Sequence, residues 1–321
     1  MTAAERQRAG RRPGRIPFRL LLGLIPLAFV AYLAVRHRDV LADGFHHLAT
    51  AKWPWLLAAG GATCLTWVAM AVTRQGAVVE RLPGFRLLAT QVAAMAANHM
   101  LPTGLGSSAV NLRFMTVCGL PLARSSAAVA LYLLAESIAR VGMLAVLLIA
   151  FPGALRLGTL LPENAAGPLL LVLAALTLAA AVLLLVRRLR TAVFSFLRTA
   201  LGEARSVHTR PARALALWGG SLAFPALQAA GLVAVGLALG LEIPLWHIVV
   251  AYLAATVAVA VVPTPGGLGS VEAALIVALV AAGSPAAVAT AVVLAYRVIT
   301  VWLPLLPGAL TLGALVRLKV I

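Results

Sequence analysis

Acidic side chains are scarce: the 321 residues hold nine Asp and Glu against 26 Lys and Arg, a net charge of +17. Seven of the nine carboxylates (Glu5, Asp39, Asp43, Glu80, Glu163, Glu203 and Glu242) fall in loops or tails between apolar runs. That leaves too few for the clustered acids or metal site that a membrane glycosyl- or lipid-transferring enzyme would use. Charge of either sign is also sparse, at 11% of residues. An ordinary soluble domain carries about 25%, so soluble globular and disordered chains are both excluded. Cysteine is nearly absent: Cys64 and Cys118 have no CxxC or His partner spacing, so no disulfide framework or zinc site is expected, and both read as small core residues. GxSxG, Walker and HExxH patterns are missing. His46, His47, His99 and His208 have no partner at metal-ligand spacing. No metal or cofactor is expected.

What is abundant is apolar: 62% of residues, with a mean hydropathy of +1.02. This composition specifies an all-α polytopic membrane protein, because a chain in lipid must satisfy its backbone internally. A pI of 11.7 would suggest nucleic acid in a soluble chain. Here the cations lie mostly between apolar runs, where topology signals belong, so no nucleic-acid partner is expected.

Six runs are long enough to cross: Ile16 to Val35, Pro54 to Thr73, Ser126 to Phe151, Pro168 to Val186, Ala214 to Gly240, and Pro285 to Leu312. The first follows Arg6, Arg8, Arg11, Arg12 and Arg15, and reads as an uncleaved anchor. Two further stretches, Leu87 to Leu120 and His247 to Ala282, are interrupted by Pro102-Thr-Gly-Leu-Gly-Ser-Ser108 and Pro263-Thr-Pro-Gly-Gly-Leu-Gly-Ser270. Their halves, about 12 to 16 residues each, are too short to span. Both therefore read as re-entrant hairpins, whose Gly/Pro breaks (Pro102, Gly104, Gly106; Pro263, Pro265, Gly266, Gly267, Gly269) are buried in protein or line a cavity. With the N-terminus inside and both hairpins returning to their own side, 20 cations fall inside and four outside. A net crossing by the first hairpin would instead put the seven arginines of Arg187 to Arg213 outside, against the positive-inside bias.

The breaks match each other. At an offset of 163, Pro-Thr-Gly-Leu-Gly-Ser107 pairs with Pro-Gly-Gly-Leu-Gly-Ser270, identical at five of six positions. Each is followed by a span carrying an arginine, Arg140 or Arg297. The expected organisation is a basic cytoplasmic tail over 1–15, one transmembrane domain over 16–316 and a short cytoplasmic tail over 317–321. Within the domain, a repeat over about 16–151 is followed by one over about 168–312. Each repeat crosses three times, so the second is inverted relative to the first. Inverted repeats with broken helices are a transporter layout, with substrate bound where half-helix ends meet.

Charged residues inside spans are expensive and face a cavity or a partner. Glu136 and Arg140 are four apart and expected to pair along their helix. Glu272 follows the second glycine turn; Arg297 follows Tyr296 in the last span and needs a partner from elsewhere in the fold or from a ligand. A phosphate suits such a site, since arginine presents a forked donor set and half-helix N-termini offer free N–H groups. Ser107, Ser108 and Asn111 would add neutral hydrogen bonds, and Arg113 reads equally as a headgroup contact or a snorkelling topology signal. Trp53, Trp55, Trp246 and Trp302 read as interface anchors, and Gly236 with Gly240 as a GxxxG packing pair.

The residues Leu101-Pro-Thr-Gly-Leu-Gly-Ser-Ser-Ala-Val-Asn-Leu-Arg113, and Pro263-Thr-Pro-Gly-Gly-Leu-Gly-Ser-Val-Glu272 with Tyr296-Arg297, resemble the flippase-like transmembrane region of lysylphosphatidylglycerol synthases and its stand-alone relatives. The resemblance runs from about Leu20 to Val316. It implies an integral membrane protein that moves a phospholipid, aminoacylated lipid or lipid-linked headgroup between leaflets. Many relatives carry an acidic residue just after the first glycine turn, where this chain has Ser107 and Ser108, so a charge-based role does not transfer there. The soluble synthase domain is expected to be missing, so lipid aminoacylation is not assigned.

Lipid transport in the cell membrane, with membrane lipids bearing an anionic or phosphate headgroup as partners, is the leading expectation, and no enzyme activity is expected. The alternatives are a proton-coupled transporter of a small polar solute, titrating Glu272 or Glu136, and an accessory subunit of a lipid- or glycosyl-transferring enzyme. A homo-oligomer and a separate partner enzyme both stay compatible with the sequence.

Overall fold

A chain this apolar has one way to pair its backbone in lipid without closing a barrel, which is to coil. The computed structural model describes residues 51–100, 105–151, 153–154, 187–259, 269–318 and 320–321. Of these, 85% are helical and none is in a strand. The helices are α1 (Trp53–Gly76), α2 (Gly84–Met100), α3 (Gly106–Val117), α4 (Leu122–Ala150), α5 (Arg187–His208), α6 (Pro211–Ala238), α7 (Leu245–Val259), α8 (Ser270–Ala281), α9 (Ala286–Arg297) and α10 (Leu303–Arg317).

Four apolar helical runs are long enough to cross a membrane: α1, α4, α6 and the continuous 32 residues of Ala286–Arg317. They coincide with four of the six spans expected from the sequence. The other two, Ile16 to Val35 and Pro168 to Val186, lie outside the described residues, as does the basic tail. The two interrupted stretches form pairs of short helices, α2 with α3 and α7 with α8, of 17, 12, 15 and 12 residues. Each pair packs together across its break. Pro102, Gly104, Pro263, Pro265, Gly266 and Gly267 fall outside the described residues.

Small residues set the helix spacing. The α1–α6 pair is the broadest interface among the described helices. A Cβ on Gly220 would enter Thr73 Oγ1 and reach Ala69 O at 2.8 Å, and one on Gly76 would enter the backbone of Leu217. Gly308 likewise lets α10 approach α2, where its Cβ would meet Val92 O at 2.9 Å. Backbone contact of this kind carries packing in lipid, where the hydrophobic effect supplies nothing between helices. Gly220→Ala should therefore force α1 and α6 apart and cost about 1–3 kcal/mol, read as a lower thermal midpoint of the purified protein in detergent. An unchanged midpoint would remove this contact from the account.

Several sequence expectations are corrected here. Gly240 is no packing residue: it follows α6 at φ +72°, and Leu241 N–H donates to Gly236 O at 2.8 Å, so the pair is a helix-terminating turn. Cys64 is exposed and so not a core residue, while Cys118 is half-buried and packs at the edge of the apolar cluster around Phe114 and Met115. Trp302 lies within the long Ala286–Arg317 run rather than near its end, half-buried against Leu305. It belongs to a π-turn, Val298–Trp302, in which Leu303 N–H reaches back five residues to Val298 O. Pro304 explains the turn: it has no N–H and its ring crowds the carbonyl four residues earlier, so the ladder widens ahead of it.

One match between the halves was not read from the sequence. Both α3 and α8 have 12 residues, and both end in a left-handed glycine followed two residues on by proline: Gly119 (φ +94°) before Pro121, and Gly283 (φ +104°) before Pro285. Each glycine closes the same bond, Leu120 N–H to Met115 O and Ser284 N–H to Leu279 O.

Candidate functional site

The described helices line a half-open cavity of about 520 Å³. Its wall draws on α1, α2, α3, α4, α6, α7, α8, α9 and the π-turn, so it lies where the two broken pairs meet the long spans. The composition of that wall is unusual for an apolar bundle. Arg74, Glu136, Arg140 and Arg297 all face it, together with Ser107 and Ser108 from the first turn of α3.

Arg74 stands near the C-terminal end of α1, at 4% side-chain exposure, and pairs through Nη1 with Glu136 Oε1 on α4. Its guanidinium carbon also lies 4.2 Å from the centre of the Tyr132 ring, one turn before Glu136. A cation over an aromatic face, desolvated, gains from the ring quadrupole. This overturns the expected Glu136–Arg140 pair. The i,i+4 spacing is there, but Glu136 is committed across the interface to Arg74. Nothing in the sequence distinguishes Arg74 from a loop cation, because it follows the run Pro54 to Thr73 just where a topology signal would stand.

Arg297 finds the partner that its own helix lacks. Its Nε donates to Glu272 Oε1 at 2.7 Å, and Glu272 Oε2 accepts from Gly269 N–H, also at 2.7 Å. Gly269 has φ +85°, a backbone region that favours glycine, and its turn lets the carboxylate fold back over the first turn of α8. One carboxylate thus caps the half-helix and neutralises the arginine ahead of the π-turn. The positive end of α8, expected to meet a ligand anion, is already faced by Glu272. Glu272 itself is not on the cavity wall; its partner Arg297 and neighbour Val271 are.

Arg140 pairs with no carboxylate among the described residues. Its Nε is buried without a hydrogen-bond partner, and the same holds for Arg74 Nε and Arg297 Nη2. Buried donors are nearly always bonded in folded proteins. Three guanidiniums that line one cavity form a donor set suited to the oxygens of an anion.

Asn111 and Arg113 are not brought to the wall. Asn111 is fully buried, accepting from Gln91 Nε2 at 2.9 Å and donating to Ser107 O at 2.9 Å, so its amide ties α3 to α2. Arg113 is exposed on α3. Gly106 makes the same junction possible, since a Cβ there would enter the carbonyl of Ala97. Tyr296 is on the wall, and its hydroxyl donates to Gln228 O at 3.2 Å, while Tyr252 OH donates to Gln228 Oε1. The two rings meet edge to face, 6.4 Å between centroids.

Gln228, Tyr252 and His99, whose Nδ1 contacts Met95 O at 2.9 Å, are wall residues that sequence reasoning passed over. The available signal was polar side chains at helical spacing inside apolar runs. His99, one residue before the end of α2, was the plainest.

No curated protein matches this chain. Residues 18–308, nearly the whole of it, match the family model described as lysylphosphatidylglycerol synthase TM region. The matched span takes in both broken helix pairs, every cavity helix and the buried arginines. The chain is a membrane protein and belongs to the lysylphosphatidylglycerol synthase transmembrane-region family.

Proposed function

We propose that this protein moves a phosphate-bearing lipid headgroup between leaflets, by holding it in the cavity between two inverted halves while the acyl chains stay in the bilayer. The carrying observation is the set of three guanidiniums, Arg74, Arg140 and Arg297, around one cavity of about 520 Å³. Arg74 and Arg297 are offset by Glu136 and Glu272, which leaves Arg140 as the guanidinium at the cavity that an anion would neutralise.

The proposed layout is six crossings and two re-entrant hairpins, in a plasma-membrane protein with both termini cytoplasmic. The inverted repeat is supported by the matched broken motifs and by the twin endings of α3 and α8 at Gly119 and Gly283. It is also supported by packing that recurs between the halves: α1 against α2 and α6 against α7, α3 against α4 and α8 against α9. Membership of a family defined by a lipid synthase's membrane region fits a lipid-related role. On this reading the protein is a transporter, not an enzyme. The proton-coupled alternative has less to draw on, since both of its carboxylates, Glu136 and Glu272, are held in ion pairs.

The test is dithionite quenching of head-labelled phospholipids in proteoliposomes. The purified chain should expose the inner-leaflet label that protein-free vesicles protect. Arg297→Ala would leave a half-buried Glu272 without its cation, so the clean variant is Glu272→Gln combined with Arg297→Gln, which should fold and lose transport. Protection of the label with every lipid tried would overturn autonomous transport and favour an accessory role with a partner enzyme. Full transport by the folded double variant would remove Arg297 from the substrate site.

A further inference from the structure

Charge bookkeeping inside the cavity narrows the substrate class, and the inference rests on the lipid-transport reading above. Three guanidiniums face the cavity, and two carboxylates, Glu136 and Glu272, are each committed to one of them. With histidine counted as neutral, a single uncompensated positive charge is left among the described residues, on Arg140 about two-thirds of the way along α4. Neither glycine break adds a charge, because residues 101–108 and 260–270 contain none. The remaining seven carboxylates of the chain lie outside the apolar runs, and two of them, Glu80 and Glu203, are bound by Arg124 at 2.8 and 2.5 Å.

Arg140 is half-buried, with its Nε buried and unpaired, and a cation so placed at a cavity wall within an apolar bundle favours one counter-charge. A phosphodiester supplies a single negative charge spread over two oxygens, which the forked donor set of a guanidinium on the wall can receive. Among the described residues, the cavity wall holds no free carboxylate. An ammonium-bearing headgroup would bring a second charge, positive, to a wall whose one acid, Glu136, is already paired with Arg74, while Glu272 behind the wall is paired with Arg297. The rest of the polar wall is uncharged, with Ser107, Ser108, Asn98 and Gln228 offering hydroxyl and amide groups. That lining matches hydroxyls.

We propose that Arg140 is the residue that selects the substrate, and that the cavity takes a singly anionic phosphodiester lipid whose headgroup is an uncharged polyol or sugar. A lysylated headgroup, the one in the family's description, would carry ammonium groups for which the described wall of this chain's cavity keeps no free acid.

Binding measured apart from transport tests this. Dioctanoyl phosphatidylglycerol, dioctanoyl phosphatidylethanolamine and a dioctanoyl lysylated phosphatidylglycerol are titrated into the full purified chain in neutral detergent, with occupancy read by native mass spectrometry. Phosphatidylglycerol should bind at least about tenfold more tightly than either ammonium-bearing lipid. Arg140→Gln should erase that preference, and Arg140→Lys, which keeps the charge but not the fork, should retain it at reduced affinity. A thermal melt of each variant checks folding. The lysine variant keeps the proposal testable if the glutamine variant unfolds, since a folded lysine variant without the preference would contradict it.

Equal binding of the three lipids by the intact chain would overturn the proposal, as would an undiminished preference in folded Arg140→Gln. Selective, Arg140-dependent binding without dithionite-accessible translocation would leave this inference standing and sink the transport reading. Translocation with no dependence on Arg140 or headgroup would do the reverse.

Discussion

Arg74→Ala is expected to destabilise the protein by about 3–5 kcal/mol, the usual cost of removing one partner from a buried ion pair. Glu136, 16% exposed, would be left with no cation against it, and Tyr132 would lose the guanidinium over its ring. The loss is one of desolvation more than of attraction. The double change Arg74→Met with Glu136→Leu removes both charges and should recover most of the stability, while the single changes do not. Unfolding of the purified variants by graded denaturing detergent reads the difference. The same double variant should still fail to move lipid, because it removes one of the cavity's three guanidiniums. If Arg74→Ala were as stable as the intact protein, the pair would be a peripheral contact, and the account of α1 docking on α4 would be wrong.

Glu272→Ala should have an effect of similar size for two separable reasons. It strands Arg297, whose side chain is 9% exposed, and it uncaps α8 by freeing Gly269 N–H. The first term is about 3–5 kcal/mol and the second about 1 kcal/mol. Glu272→Gln separates them, because an amide oxygen still accepts from Gly269 but carries no charge for Arg297. The glutamine variant should therefore be more stable than the alanine variant, though short of the native protein. Hydrogen exchange localises the cap: the first-turn amides of α8 should lose protection in the alanine variant and keep it in the glutamine variant. Equal exchange in both would mean that the carboxylate does not hold the end of the break.

Much of the architecture was legible because lipid removes alternatives. Apolar runs near 20 residues must be helices, and four such runs appear as α1, α4, α6 and Ala286–Arg317. The Gly/Pro interruptions predicted short paired helices, and α2, α3, α7 and α8 have the expected lengths. The site was only partly legible. Arg140, Arg297, Glu136, Ser107, Ser108 and Tyr296 were picked out as polar groups in apolar surroundings, and the structure gathers all six at one cavity. Arg74 was missed because a cation at the end of a run looks the same whether it snorkels outward or folds inward. Asn111 was read as a ligand group because a buried amide looks the same whether it binds substrate or, as here, Gln91 of the neighbouring helix.

The sequence by itself determined that this is an all-helical membrane protein with two matched broken segments, because burial in lipid, helix length and the glycine and proline positions are local constraints. Which carboxylate neutralises which arginine was left to the tertiary structure. Spacing along one helix offered Glu136 to Arg140, yet the approach of α1 to α4 and the glycine turn before α8 gave Glu136 to Arg74 and Glu272 to Arg297. Arg140 is left as the cavity's uncompensated charge by that choice. Ion pairing depends on separation in space, and no local property of the chain fixes how far apart two helices will stand.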